Sequence, residues 1–485
     1  MGDNNLKSRT ISSVLWSAIG RFGTMGITFV ANIVLARLLT PEDFGCIGML
    51  QIFIAISEVL VLGGFGAALI QKRNPTHVDY TTVFYWNLIV SVVIFFVLYV
   101  TAPYIADFYS MPLLRDVLRA QGLSVIIYAF SVVQSTQLQK ELRFKELSIR
   151  GIVAAFAGVV VATIMAYRGW GVWSLVVMHL VIPFCSALLL WRMSSWRPSL
   201  EFSWNSFKTL FSFGGLVALS SLVETVYSNI QGLVIGKWFT PKDLGYYTQA
   251  RKLEQVPTSA LSMIVGQVAF PVFSLLNDDT EKLKAAVRKN IVSITYINFP
   301  LCILLIVIAK PLIILLYGNQ WIESVDYFQI LCLSGMVYTL NTTNVNVIKS
   351  MGKGKIYFYT QLLKRLIGLC LIFAGIPFGV DGVVWAVAIY SYVGLIINAT
   401  TNYILLKYGF VQQIKDTFVN LIVAVVVGIV VICMGYITGI NELMMVVQIF
   451  IYIVLFLFIS HILNLEGYST FISLLHSLNG INKFR

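Results

Sequence analysis

The sequence predicts an all-α polytopic membrane protein of about fourteen transmembrane helices, two parallel-repeat six-helix lobes followed by two C-terminal helices. Three observations predict it. First, 58% of the 485 residues are hydrophobic and only 12% are charged, with mean hydropathy +0.83. A soluble domain is nearer 45–50% apolar and about 25% charged. Second, apolar runs of about 20 residues follow one another along most of the chain, as spanning helices require. A transmembrane barrel would instead alternate apolar and polar residues over ~10-residue strands. Third, Thr40, Pro41, Asp43 and Gly45 recur as Thr240, Pro241, Asp243 and Gly245, which marks a chain built twice.

In chain order the runs are 13–37, 44–70, 82–107, 113–136, 148–167, 170–191, 208–236, 246–276, 286–309, 323–350, 356–377, 380–405, 413–437 and 442–464. The first is too long for a cleavable signal and holds Arg21 in its middle. In each repeated turn a basic residue (Arg37, Lys237) closes one run. The threonine then reads as an N-cap, with proline in the first turn and an acid at the positive helix end. That assigns the turn to architecture rather than to substrate contact. Gly63-Gly64 and Gly214-Gly215 mark hinges or close helix contacts. Pro257, Pro271, Pro300 and Pro377 permit bends in the second half. The polar segments 137–150, 192–207 and 277–290 are too short for a soluble domain, and Asp278-Asp279 reads as a solvated turn.

Orientation follows from the basic residues. With the N-terminus in the cytoplasm, 22 of the 34 Lys and Arg residues lie in cytoplasmic segments and 7 on the opposite face. This bias predicts both termini inside. It also accounts for the net charge of +12 without a nucleic-acid partner. Six runs separate the two turns, so the chain returns in the same orientation and the repeat is parallel. Residues 1–200 are expected to form one lobe, 201–407 the second, and 408–485 the two extra helices and tail. A substrate site is expected between the lobes near the midplane.

A charge at mid-bilayer costs roughly 2.5–3.5 kcal/mol on insertion scales, so each needs a reason. The basic candidates are Arg21, Arg251, Lys252, Lys364 and Arg365; the acids are Glu58, Glu224 and Glu254. Lining one water-filled cavity, they would make it cationic and suited to phosphate, pyrophosphate or an acidic sugar. The plainer readings are an Arg251–Glu254 pair on one helix face and snorkelling of Lys252 and Lys364. Glu58 and Glu224 are candidate counter-ions or proton or sodium coupling sites. The six cysteines are scattered singly and no metal or cofactor site is expected. No phosphate-binding Gly-rich loop and no metalloprotease or hydrolase motif occurs, so no catalytic residue is assigned.

Several stretches resemble a known family. They are Leu35-Ala-Arg-Leu38 with Phe44-Gly45; Gln139-Lys-Glu-Leu142 with Phe144; Phe270-Pro-Val-Phe273 leading into Asp278-Asp-Thr-Glu-Lys-Leu283; Asn298-Phe-Pro300; Tyr317-Gly318 before Trp321; and Gln329-Ile-Leu-Cys332. Together they resemble the polysaccharide flippases of the multidrug/oligosaccharidyl-lipid/polysaccharide exporter superfamily, in particular their colanic-acid branch. The resemblance implies two six-helix lobes in a V and a non-enzymatic carrier in the bacterial inner membrane. Its implied partners are membrane lipid, the polysaccharide polymerase and the chain-length machinery. The implied cargo is an undecaprenyl-pyrophosphate-linked oligosaccharide moved by alternating access for surface polysaccharide assembly. It also implies that basic residues of the first and eighth runs, here Arg21, Arg251 and Lys252, hold the pyrophosphate. The alternative within the superfamily is a cation-coupled multidrug exporter, for which Glu58 and Glu224 would matter most. A membrane polymerase or glycosyltransferase would need a large outer loop with catalytic residues, and the outer loops here are short.

Overall fold

The computed structural model describes residues 3–438 and 442–481. Among the described residues the regular elements are all helices, without strands. In order the helices are α1 (Asp3–Leu38), α2 (Pro41–Leu62), α3 (Phe65–Gln71), α4 (His77–Phe108), α5 (Leu113–Lys140), α6 (Phe144–Tyr167), α7 (Val172–Met193) and α8 (Trp204–Trp238). There follow α9 (Pro241–Leu275), α10 (Thr280–Val307), α11 (Ala309–Tyr317), α12 (Ser324–Ser350), α13 (Gly354–Gly375), α14 (Gly379–Leu406), α15 (Phe410–Thr438), α16 (Glu442–Ile462) and α17 (Glu466–Ile481).

Among the described residues, 11 stretches are long and apolar enough to cross a membrane, against the fourteen runs expected. Part of the difference is physical. The helices α13 and α14 run together as one stretch, Gly354–Leu406. In α12 a succession of Asn and Thr residues dilutes the apolar run. The outward faces fit a lipid solvent: α4, for example, exposes Ile89, Val93, Phe96, Val97 and Val100.

The chain forms two compact units, Met1–Gly245 and Tyr246–Arg485. Within the first, α8 packs along α2. In this unit α1 packs on α6, α4 on α5, and α7 on both α5 and α6. Small residues permit the α1–α6 approach: Gly20 leaves room for Ser148, whose hydroxyl donates to the Trp16 carbonyl at 2.6 Å.

The repeated turns explain how α2 meets α8 and α9. Both are capping boxes. The Thr40 amide donates to Asp43 Oδ2 at 3.0 Å, and the Asp43 amide donates to Thr40 Oγ1 at 3.4 Å. The corresponding bonds between Thr240 and Asp243 measure 3.0 and 3.2 Å. Each box satisfies helix-end donors reciprocally. The glycine that closes each turn has a second role. Gly45 lies against the Pro241 carbonyl oxygen, and Gly245 lies against the Pro41 carbonyl oxygen; a Cβ at either position would run into backbone. The two turns therefore seat each other across a local two-fold. Farther along, Gly236 admits Met49, whose Cγ would stand 2.9 Å from an added Cβ. At the far end Gly64 and Gly214 pack backbone to backbone. Gly63 and Gly64 have φ of 52° and 67° and break the expected 44–70 run into α2 and α3.

In the second unit α10, α12, α14 and α15 are tied by amide side chains. Asn298 donates to the carbonyls of Gly335 and Met336, and Asn420 to the Val292 carbonyl. Asn398 donates to Asn341 Oδ1 at 2.7 Å, and Asn402 to Asn344 Oδ1 at 2.6 Å. Asn344 and Gln413 exchange bonds of 3.0 and 2.8 Å. Interhelical hydrogen bonds in membranes average about 0.6 kcal/mol each, but a partner left buried and unsatisfied costs about 1–3 kcal/mol. We therefore expect Asn344→Leu, which takes the donor from Gln413 Oε1 and leaves Asn402 and Gln413 only their longer bonds to the carbonyls of residues 344 and 408, to destabilise the protein by about 1–3 kcal/mol. A thermal unfolding scan in detergent checks it; a melting temperature within a degree of the parent would count against the network. On the polar flank, Asp279 caps α10 and pairs with Lys282 at 2.9 Å, the solvated turn expected. Its hydrogen bonds to Lys282 hold the carboxyl below the usual carboxylate range.

Candidate functional site

In the first unit Arg21 sits on a polar stripe of α1 with Ser17, Thr24 and Thr28, at helical spacings of three and four. Its side chain is exposed on the helix surface and has no hydrogen-bond or ion-pair partner among the described residues. The register that equates Thr40 with Thr240 equates Arg21, Thr24 and Thr28 with Ser221, Glu224 and Ser228 of α8. Glu224 is likewise exposed. Arg21 and Glu224 thus occupy repeat-equivalent faces, one turn apart in register.

Glu58 is half-buried on α2 and forms no ion pair with Arg21 among the described residues. Its charged surroundings are different from those expected. Tyr128 of α5 lies within electrostatic reach of both Glu58 and Arg150. Arg150 reads in the sequence as part of a cytoplasmic loop, but α6 begins at Phe144 and carries it inward. There Nη1 donates to Ser186 Oγ of α7 at 3.0 Å, while Nε is enclosed without a partner. Helix α6 begins earlier than apolarity suggests because Phe144, Leu147 and Ile149 start its apolar pattern among polar neighbours.

In the second unit α9 carries two adjoining polar stripes. Tyr247, Arg251, Glu254 and Thr258 form the inner one; Lys252, Gln255 and Ser259 form the outer, exposed one. The expected Arg251–Glu254 pair does not form. Arg251 donates from Nη1 to the Tyr247 hydroxyl one turn back, at 3.3 Å. Glu254 turns toward α12 and is only 8% exposed. It fits because position 335 is glycine: a Cβ there would stand 2.6 Å from Glu254 Oε1 and 2.9 Å from Thr258 Cγ2.

Lys364 does not snorkel. It is 8% exposed, lies against Gly394 beside Asn341, and donates to Gln361 Oε1 at 3.4 Å. The expectation overlooked that Gly394 leaves an internal berth for its stem. Arg365, next on α13, is half-buried. The second unit therefore concentrates basic side chains on α9 and α13, with Glu254 and the asparagine ladder beside them. The ladder was missed in the sequence; its signal was Asn341, Asn344, Asn398 and Asn402 at helical spacings inside apolar runs.

Residues 34–326, more than half of the chain, match the family described as "Polysaccharide biosynthesis protein". The chain belongs to that family. Among its relatives is the teichuronic acid biosynthesis protein TuaB of Bacillus subtilis, 25% identical over 88% of this chain and 89% of that one. The lipopolysaccharide biosynthesis protein WzxC of Escherichia coli is also 25% identical, over 76% of each chain. The fold is shared with a lipid II flippase, MurJ, in an inward closed conformation, with a TM-score of 0.78 at 14% identity over 93% of this chain and 98% of that one. The expected exporter fold is thereby shown, and the protein is a multi-pass membrane protein of the polysaccharide biosynthesis family.

Proposed function

We propose that the protein is a flippase, not an enzyme, carrying a polyprenyl-pyrophosphate-linked oligosaccharide from the cytoplasmic to the outer leaflet of the bacterial inner membrane. The observation that carries this reading is membership of the polysaccharide biosynthesis family along residues 34–326. The intramembrane charges agree with it. Arg21 and Lys252 are exposed on their helices, and Arg251 is held by Tyr247 rather than cancelled by an ion pair. A guanidinium kept open in this way suits a bidentate phosphate contact. In the proposed cycle Arg21, Arg251, Lys252, Lys364 and Arg365 draw the pyrophosphate and sugar through a cationic central cavity. The prenyl chain stays in lipid. Both termini lie in the cytoplasm, and the cargo is handed to a polymerase and chain-length machinery outside.

The test is a deletion strain. Loss of surface polysaccharide, with lipid-linked repeat units accumulating on the inner leaflet, is expected, and restoration requires the intact gene. Normal polysaccharide with new sensitivity to cationic dyes would favour the cation-coupled exporter, the reading in which Glu58 and the exposed Glu224 act as coupling sites.

A further inference from the structure

Glu254 lies on the inner stripe of α9, buried between α9 and α12. Among the described residues only Asp79, Glu254 and Lys364 are charged and buried. Asp79 is explained by Lys72 at 2.7 Å and by its capping bonds to Thr76. Glu254 has no such account. No basic group stands within ion-pair distance of its carboxyl among the described residues. Arg251, which acts on it electrostatically, donates its hydrogen bond to Tyr247 instead.

The pocket that holds the carboxyl is nevertheless built for it. Gly335 supplies the space, and the Gly335 carbonyl is fixed by Asn298 Nδ2 at 3.1 Å. Asn298 is itself fully buried and ties α10 to this point. Thr258 stands one turn farther on and spends its hydroxyl hydrogen on the Glu254 backbone carbonyl at 3.0 Å. The same hydroxyl also lies within hydrogen-bond reach of the Glu254 carboxyl. The titratable and charged groups facing the site are Tyr247 and Arg251 of α9, Cys302 of α10 and Cys332 of α12. Tyr338 of α12 faces Arg251. An isolated carboxylate cannot stay ionised in such surroundings without a counter-charge.

We propose that Glu254, seated over Gly335, is a binding site for an exchangeable monovalent cation, a proton or a sodium ion, linked to anion binding at Arg251. This moves the coupling role from Glu58 and Glu224, which are only half-buried or exposed, to an enclosed carboxyl. Filling the site removes a negative charge one turn from Arg251. The guanidinium then attracts a phosphate more strongly, and by reciprocity the bound phosphate raises cation affinity. The second half of this inference rests on the flippase reading; cation binding at Glu254 does not.

The experiment uses the full chain in lipid nanodiscs with two readouts. The first, without any lipid-linked substrate, is thermal stability. Sodium replacing N-methylglucamine at constant ionic strength, or pH lowered from 8 to 6, raises the melting temperature of the parent, because the ion binds only the native state. Glu254→Gln loses that rise. The responding arm identifies the ion. The second readout is affinity for farnesyl pyrophosphate. In the parent it strengthens on the order of tenfold when the site is filled, and in Glu254→Gln it is constant apart from the probe's own titration. Gly335→Ala keeps the carboxyl but closes its berth, and should weaken both responses if Glu254→Gln fails to assemble. A parent indifferent to both ions, or a Glu254→Gln or Gly335→Ala protein that responds as the parent does, overturns the proposal. A cation response without farnesyl pyrophosphate binding would instead sink the flippase reading and leave the cation site standing.

Discussion

Alanine at Gly245 is expected to destabilise the protein by about 1–3 kcal/mol, the usual cost of overpacking a close contact, and Gly45→Ala should do the same. Each added methyl would meet a carbonyl oxygen of the opposite turn, Pro41 for Gly245 and Pro241 for Gly45. Backbone cannot rotate away as a side chain can, so α2 and α9 must separate, and the other seat loses its fit. The two substitutions are therefore expected to be less than additive, because the first already opens the crossing. Gly26→Ala supplies the control. Gly26 lies in α1 with nothing within 4 Å of an added Cβ. Alanine there should be neutral or stabilise by up to about 1 kcal/mol through helix propensity. Melting temperature and yield of assembled protein in detergent are the measurements. Equal values for Gly245→Ala and Gly26→Ala would show that the two turns do not bear on each other.

That crossing also marks where sequence reasoning stopped. The threonine, proline and aspartate of each turn were legible because capping is local, with every partner within three residues. The glycines were not. Their reason lies two hundred positions away in the chain, and a glycine after a cap is equally at home in an unremarkable first turn. Helix class, order and approximate ends were legible for the same local reason as the caps, since apolar run length dictates them. The boundaries that mattered slipped by a few residues. Starting α6 at Phe144 rather than 148 sets Arg150 more than one turn inside the helix rather than at its end, where the sequence counts it with the loop charges, and there its Nε is enclosed.

The charges were legible as charges but their partners were not. Three-residue spacing permitted an Arg251–Glu254 pair, and the choice of Tyr247 instead depends on a berth made by Gly335 on another helix. Lys364 likewise depends on Gly394. The asparagine ladder was passed over because amides in apolar runs carry no charge to demand an explanation. In a bilayer they still need partners, and here they find them across α10, α12, α14 and α15.

Arg251→Ala is expected to slow flipping of a lipid-linked oligosaccharide in proteoliposomes by about tenfold to a hundredfold, the value of one or two charged hydrogen bonds to phosphate. The chain should remain folded. Arg251 is only half-buried, and its hydrogen bond is to a tyrosine one turn away on its own helix, so truncation strands little. Arg251→Lys separates charge from geometry. A lysine keeps the point charge but lacks the planar fork, so an intermediate loss points to bidentate phosphate contact, whereas full activity points to charge alone. Tyr247→Phe isolates orientation: it removes the hydroxyl that holds Nη1 and leaves the guanidinium free to swing, so a several-fold loss is expected. A purely structural Arg251 would reverse this order. Alanine would then lower the melting temperature, lysine would restore it, and the flipping rate per folded molecule would not change. Arg251→Ala protein that melts with the parent yet flips at the parent's rate would remove Arg251 from the substrate path altogether and leave the pyrophosphate to Arg21 and Lys252.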